Sequence, residues 1–329
     1  MAKIAILGTG AWGTALANVL LENGHDVYMW GVDSKEINDL NNQKNTKYFG
    51  NQTLITKPTL ATLNIQEVFD NKISFVIIAV PSVFIVSTLQ NVLSHTKGKY
   101  IFINVAKGLD PNTNDIWSKT IKQMMGNQLK GLVTLIGPSF AVEVFKNEPT
   151  MVNTISTEAA CSRMVSLLFN NNHFKCVNIK DEVGAEIIGA LKNVAAIAMG
   201  LAYELHASIN TRAAMLAQAT KEISNVVKYY GGEPETITQF CGIGDIYLTC
   251  TDEKSRNFSF GKQIAKVGVK QALLNNKTTI EGYYAAEVIY KVIKKAKMNA
   301  PIFTKLHEVL FENDNPKTFV KQIMKEIIE

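Results

Sequence analysis

The stretch Glu182–Leu205 narrows the choice of folds more than any other in the chain. It reads EVGAEIIGALKNVAAIAMGLAYEL and contains no proline. At helical spacing its apolar residues, among them Val183, Ile187, Leu191, Val194, Ala198 and Met199, cover nearly the whole circumference. A helix that is apolar all round either lies inside a large core or crosses a bilayer. Glu186, Lys192 and Asn193 interrupt the run, so no clean span of about 20 apolar residues survives. The expectation is a helix through the middle of a soluble protein. Two readings of Lys192, at its centre, stand side by side. A buried lysine must be paired or functional; a lysine near the surface can snorkel out.

Such a helix needs much surrounding structure. A chain of 329 residues that is 47% hydrophobic supplies it, and divides into two domains rather than one small core. The net charge of +5 is modest and the charges are well mixed, which argues against disorder and against nucleic acid as a partner. Lys291, Lys294, Lys295 and Lys297 fall at helical spacing and read as a solvated face. Cys161, Cys176, Cys241 and Cys250 form no C-x-x-C pair. Their spacing suits neither a zinc site nor a disulfide framework, so no metal is expected and free thiols in a reducing compartment fit best. The N-terminal MAKIAILG enters a strand at once, without signal-peptide architecture. A cytoplasmic protein without membrane insertion is expected.

Before residue 182 strands alternate with helices. Lys3–Leu7, Asp26–Trp30, Lys72–Val80, Tyr100–Ala106 and Leu132–Ile136 are short apolar runs of the kind that form buried parallel strands. A helix is predicted from Trp12 to Asn23 with Gly24 closing it, and another through Leu40 with Ser34 as its cap. Residues 41–58 are polar and read as loop with a short strand. Thr150–Ser156 and Phe174–Ile179 add strands around a helix at Glu158–Phe169, extending the sheet or making it mixed. The pattern implies repeated βαβ units and a doubly wound α/β sheet. Beyond Asp181 strand signals nearly vanish. Helices are predicted over 183–205, 210–229, 234–240, 259–267, 282–297, 301–312 and 316–328. The domains are therefore expected at 1–181 and 182–329.

Gly8-Thr9-Gly10-Ala11-Trp12-Gly13 is G-x-G-x-x-G, placed after a strand and at the start of a helix. In that context the glycines serve a dinucleotide: Gly8 for the tight turn, Gly10 for approach of the pyrophosphate, Gly13 for helix–strand packing. Asp33 follows Gly13 by 20 residues, where an acid commonly binds the adenosine ribose. It can equally do no more than help cap the next helix. The nearest base to it in sequence is Lys35.

Val80-Pro81-Ser82, Ala106-Lys107-Gly108 and Gly137–Ala141 follow strands, where open α/β sheets bind ligands. Lys107 is thus expected in the crevice. Gly242-Ile243-Gly244-Asp245 sets an acid on a permissive loop, and Arg256-Asn257 offers a fork and an amide suited to phosphate or carboxylate. The five histidines are scattered without visible partners, which leaves Lys192 as the leading acid–base candidate.

These motifs, in order, closely resemble the bacterial NAD(P)-dependent glycerol-3-phosphate dehydrogenases: GTGAWGT from Gly8, AKGL from Ala106, Gly137–Ala141 with Glu143, Leu191-Lys192-Asn193, GIGDIYLTC from Gly242, Ser255-Arg256-Asn257 and Ile280-Glu281-Gly282. The resemblance covers essentially the whole chain. It implies a Rossmann-like N-terminal domain, a helical substrate-binding and catalytic domain, and NAD or NADP as cofactor. The implied reaction reduces dihydroxyacetone phosphate to sn-glycerol 3-phosphate, a phospholipid precursor. By the same resemblance Lys192 transfers the proton. Lys107, Gly137, Ser139, Asp245, Ser255, Arg256 and Asn257 meet the small phosphorylated substrate. Ala11, Trp12, Lys107, Ala141, Arg256, Ile280 and Glu281 meet the dinucleotide, with Gly8, Gly10, Gly13 and Asp33.

The chain departs from many of these relatives at Val32, where they carry a base, and at Tyr48-Phe49-Gly50, where Tyr-Leu-Pro is frequent. The first departure implies a weaker preference for NADPH. A β-hydroxyacid or ketopantoate-type reductase, or a dinucleotide-binding sensor without catalysis, is the alternative. A homodimer is left open.

Overall fold

The computed structural model describes residues 1–276 and 280–326. Two compact units emerge: Met1–Asp110 with Trp117–Glu182, and Pro111–Ile116 with the chain from Val183 onward.

In the first unit eight strands make one sheet: β1 (Lys3–Leu7), β2 (Asp26–Trp30), β3 (Leu60–Thr62), β4 (Phe75–Ile78), β5 (Tyr100–Asn104), β6 (Leu129–Ile136), β7 (Thr150–Ile155) and β8 (Phe174–Ile179). Their order is 3-2-1-4-5-6-7-8. All neighbours run parallel except β6 and β7. The connecting helices are α1 (Ala11–Glu22), α2 (Ser34–Asn41), α3 (Thr46–Phe49), α4 (Ile65–Phe69), α5 (Ile85–His95), α6 (Trp117–Met125), α7 (Ala141–Phe145) and α8 (Ala159–Phe169). The strand order reverses between β1 and β4, the topological switch point at which such sheets bind ligands beyond their strand ends.

Side chains alternate across a strand, so β1 feeds two cores. Ile4 and Ile6 belong to one with Leu16, Leu20 and Phe145; Ala5 and Leu7 belong to the other with Ile85, Leu89 and Trp117. Helices cover both faces, which is why the strand reads apolar throughout.

The predicted bounds of β1, β2 and β8 match the structure to the residue. Others shift. The run expected over 72–80 shortens to Phe75–Ile78, and ahead of it Lys72 turns the chain with a φ of 55°. Ser34 does not cap α2 but opens it; Asp33 caps it, its carboxylate accepting from the Lys35 N–H at 2.9 Å. The short strand expected in 41–58 is absent there; the segment holds α3 and a single bridge between Lys44 and Thr53. The sequence reading missed β3 and α4, each too short to show a period.

The second unit is helical, with no strand among its described residues: α9 (Glu182–Glu204, of which Glu182 closes the first unit), α10 (Ile209–Tyr229), α11 (Asp245–Thr251), α12 (Arg256–Asn275), α13 (Glu281–Ala296), α14 (Pro301–Phe311) and α15 (Phe319–Glu326). The helix expected to end at 267 continues after a break at Gly268, whose φ is +77°. Of the helix expected over 316–328, residues 327–328 lie outside the described residues.

α9 is long and apolar enough to cross a membrane, yet its apolar span is buried throughout, as in a core helix. Glycines let its neighbours approach. A Cβ on Gly200 would collide with the Phe258 carbonyl of α12, and one on Gly261 with the Ile197 carbonyl of α9. The lysines of α13 form the solvated face expected: Lys291 pairs with Glu287 at 2.9 Å, and Lys294 lies over the Tyr290 ring.

Glu222 is buried on α10 and caps α14 from outside it. Its carboxylate accepts from the Ile302 and Phe303 N–H groups at 3.0 and 3.1 Å, and from Gln218 at 3.0 Å. Burial outweighs these donors and pushes the carboxyl up to about 7, from an ordinary 4.5. Between those two values the folded chain keeps a proton that the unfolded chain has lost, so stability falls as pH rises through the window. Glu222→Gln keeps an acceptor without the charge. The variant should gain on the parent by on the order of 3 kcal/mol in urea unfolding at pH 8, with the gain vanishing near pH 5. An equal difference at both pH values would show that ionisation of Glu222 is not involved.

Candidate active site

The glycine loop joins β1 to α1 in the first unit. Gly8 has a φ of +121°, and a Cβ there would lie 2.6 Å from the Ala79 carbonyl oxygen. A Cβ on Gly13 would collide with the Gly8 carbonyl. These two glycines are thus required by the turn and by its packing. Gly10 differs: a Cβ on it meets nothing within 4 Å, so open space stands over the backbone. Gly10 is also the N-cap of α1 and gives it no side-chain cap. Unsatisfied N–H groups at a helix start favour an anion, and the loop fits a pyrophosphate. Ala11 and Trp12, both half-buried, open the helix.

The loop is braced from behind by a network that includes three residues sequence reasoning missed, Glu36, Asn45 and Lys47. The Thr14 hydroxyl donates to the Thr9 carbonyl at 3.1 Å. The buried Asn45 amide donates to that carbonyl at 2.8 Å and to the Thr14 oxygen at 2.9 Å. The Thr9 hydroxyl donates to the buried carboxylate of Glu36. Glu36 in turn accepts from the Lys47 ammonium at 2.5 Å and from the Tyr48 hydroxyl at 3.2 Å. Lys47 also reaches Asp33, at 3.3 Å. The Lys35 N–H and then Lys47 hold the Asp33 carboxyl below its ordinary value. Val32 beside it is exposed. No spacing rule links these residues; only the folded loop brings them together.

Three further expected residues gather beyond β5 and β6. The Lys107 ammonium lies 3.4 Å from the Gly137 carbonyl, and the Ser139 hydroxyl donates to the same oxygen at 3.1 Å. Ala141 begins α7 just after them.

In the second unit the two readings of Lys192 resolve in favour of burial: it is 3% exposed. Its ammonium donates to Asp245 Oδ1 at 2.5 Å and to Thr249 Oγ1 at 3.0 Å. The Thr249 hydroxyl spends its own proton on the Asp245 carbonyl, at 2.6 Å, so toward Lys192 it accepts. Thr249 was not singled out from sequence. Its signal is position: it stands one helical turn after Asp245. That relation was hidden because Gly242–Asp245 reads as a permissive loop. The structure corrects this, since Asp245 opens α11 and is fully buried. The cysteines are all buried and none forms a disulfide, and burial pushes the Cys250 thiol up to about 12, which removes it as a nucleophile.

Next to Lys192, the Asn193 amide donates to Glu281 at 3.3 Å, and the Gly282 N–H donates to Asn257 Oδ1 at 3.0 Å. With Oδ1 engaged, Asn257 presents its Nδ2 as a donor. Gly282 is needed for this approach, since a Cβ there would sit 2.5 Å from the Asn193 carbonyl oxygen. Ile280 is buried at the N-cap of α13. Ser255 caps α12 by accepting from the Phe258 N–H at 3.3 Å. Arg256, the first residue of α12, is exposed and has no ion pair among the described residues. The structure therefore brings Lys192 together with Asp245, and Asn193, Asn257, Glu281 and Gly282 into one cluster.

Chemistry that needs both a bound dinucleotide and a proton source kept from bulk water is hydride transfer at a carbonyl carbon. The class of protein so defined is the nicotinamide-dependent dehydrogenase. Residues 3–162 match the family model for the N-terminus of NAD-dependent glycerol-3-phosphate dehydrogenase, and residues 181–321 match the one for its C-terminus. Glycerol-3-phosphate dehydrogenase (NAD(P)+) of Malacoplasma penetrans is 41% identical over 98% of this chain and 96% of its own length. That of Mycoplasma mobile is 36% identical over 98% and 96%. The crystal structure of glycerol-3-phosphate dehydrogenase from Coxiella burnetii superposes with a TM-score of 0.88 at 28% identity, covering 98% of each chain. The chain belongs to the NAD-dependent glycerol-3-phosphate dehydrogenase family.

Proposed function

We propose that this enzyme reduces dihydroxyacetone phosphate to sn-glycerol 3-phosphate with NADH or NADPH, and reversibly. The observation that carries the chemistry is the desolvated Lys192–Asp245 pair at 2.5 Å. The dinucleotide, when bound, supplies a hydride to the ketone carbon. Negative charge then grows on the ketone oxygen, and the Lys192 ammonium answers it with a hydrogen bond and the proton. Asp245 and Thr249 fix the direction of the lysine chain. Burial keeps water from competing for the same proton.

The first unit is assigned to the dinucleotide and the second to the substrate and the acid. Gly8, Gly10, Ala11, Trp12 and Gly13 seat the pyrophosphate, Asp33 the adenosine ribose, and Ala141, Ile280 and Glu281 the rest of the cofactor. Lys107, Gly137 and Ser139 of the first unit are assigned to the substrate, and so are Ser255, Arg256 and Asn257 of the second. Arg256 is the exposed guanidinium suited to the phosphate, and binding energy at that remote group holds the carbonyl for reaction. The reaction belongs in the cytoplasm, where its product enters phospholipid synthesis.

Dihydroxyacetone phosphate and unphosphorylated dihydroxyacetone, compared in a dinucleotide oxidation assay, test this reading. The phosphorylated ketone should win by several orders of magnitude in kcat/KM. Equal use of both would exclude a phosphate-reading site. Arg256→Ala should lower kcat/KM for dihydroxyacetone phosphate at least about tenfold, the worth of a lost charge-assisted hydrogen bond, and weaken dinucleotide binding as well. Unchanged turnover would return Arg256 to the role of a surface residue.

A further inference from the structure

From the salt bridge of Lys47 with Asp33 we infer that Lys47 sets the balance between NADH and NADPH. The inference rests on the dinucleotide reading of the glycine loop, not on the identity of the ketone. Asp33 stands just beyond the end of β2, where Rossmann-type sheets read the 2′ position of the adenosine ribose. Alone, its carboxylate accepts from a 2′-hydroxyl and repels a 2′-phosphate. Here it is not alone. Lys47, on α3 and 14 residues further along the chain, lies 3.3 Å from Asp33 Oδ2, and its side chain is 55% exposed. The second carboxylate on Lys47, that of Glu36, is buried and already tied to Thr9 of the glycine loop. Glu36 thus anchors the lysine at the loop while its exposed flank stays beside the ribose acid.

The consequence is a site with one cation and one anion where the 2′ group arrives. A 2′-hydroxyl meets Asp33; a 2′-phosphate meets the Lys47 ammonium, which shifts from neutralising Asp33 to neutralising the phosphate. Val32 adds no charge, and Lys35 offers its backbone N–H to Asp33 rather than its ammonium. Lys47 fills, from a different place in the chain, the need for a base that the sequence at position 32 leaves open.

Direct binding of NADPH and NADH to the full chain, by fluorescence titration without ketone, tests this apart from the reaction assigned above. In Lys47→Gln the ratio of NADPH to NADH affinity should fall at least about tenfold, and Lys47→Arg should keep the parent ratio to within about threefold. In Lys47→Gln/Asp33→Asn the repelling charge is gone and the ratio should recover most of the loss. A Lys47→Gln ratio within about threefold of the parent overturns the inference, whether both affinities hold or both fall together; the latter marks Lys47 as only a brace for Glu36 and the loop. Binding that follows the expected ratios in a protein that leaves dihydroxyacetone phosphate unreduced would sink the proposed reaction and leave Lys47 as inferred.

Discussion

Lys192→Met lowers the rate of hydride transfer by roughly 10²–10⁴, the usual contribution of a positioned acid. The loss is larger if the ammonium also stabilises the growing alkoxide before the proton moves. Methionine keeps the length of the side chain and the helix propensity of α9, so the backbone around position 192 has no reason to move. Dinucleotide binding should persist, because the glycine loop and its braces Thr14, Glu36 and Asn45 are built within the first unit. Stability should drop, since the buried Asp245 carboxylate loses the ammonium that donates to it at 2.5 Å. Single-turnover hydride transfer, in variant protein that calorimetry finds folded and dinucleotide-bound, measures the effect. A rate within about threefold of the parent would make α9 a packing element and nothing more.

Asp245→Ala carries the largest expected cost in stability, roughly 3–5 kcal/mol. The change removes the carboxylate that accepts at 2.5 Å from an ammonium only 3% exposed, which also meets Thr249 of α11. The neutral amine is then favoured, which removes the proton that the reaction needs. Replacing both partners differs in kind from replacing one. Lys192→Met with Asp245→Leu exchanges a desolvated ion pair for apolar side chains, a change that is often neutral or stabilising. The urea midpoint of the double variant should therefore stand well above that of Asp245→Ala while activity stays lost. Additive destabilisation across the cycle of Lys192→Met, Asp245→Leu and their double variant would mean that the two side chains do not act as a pair.

What could be read from the sequence, and what could not, follows from the range of the forces involved. β1 and β2 were readable because a strand covered on both faces writes its burial into consecutive residues, and β8 because Phe174 and Cys176 alternate with exposed neighbours. Gly8, Gly10 and Gly13 were readable because a turn, a bare backbone and a close approach each demand glycine at a fixed local offset. Lys192 stood out because a cation inside an all-round apolar helix is a local contradiction. Glu36, Asn45 and Lys47 were not readable. Glu36 meets Thr9 across 27 residues and Asn45 meets Thr14 across 31, and Asn45 and Lys47 lie in a polar segment without period. Asp245 was found as an acid but placed on a loop, because two glycines just before it mask the start of α11. Thr249, whose only local signal was its turn spacing from Asp245, was hidden by that error.

Consumption of the dinucleotide, rather than its mere retention, is what makes the protein an enzyme. The measurement is ³¹P NMR of the chain with dihydroxyacetone phosphate and a known amount of NADH or NADPH, each in turn, followed beside absorbance at 340 nm. One glycerol 3-phosphate should form for each dinucleotide oxidised, with the reverse reaction visible when product and oxidised dinucleotide are supplied instead. Dinucleotide that binds but stays reduced, with the ketone resonance unchanged, would contradict this and make the protein a sensor.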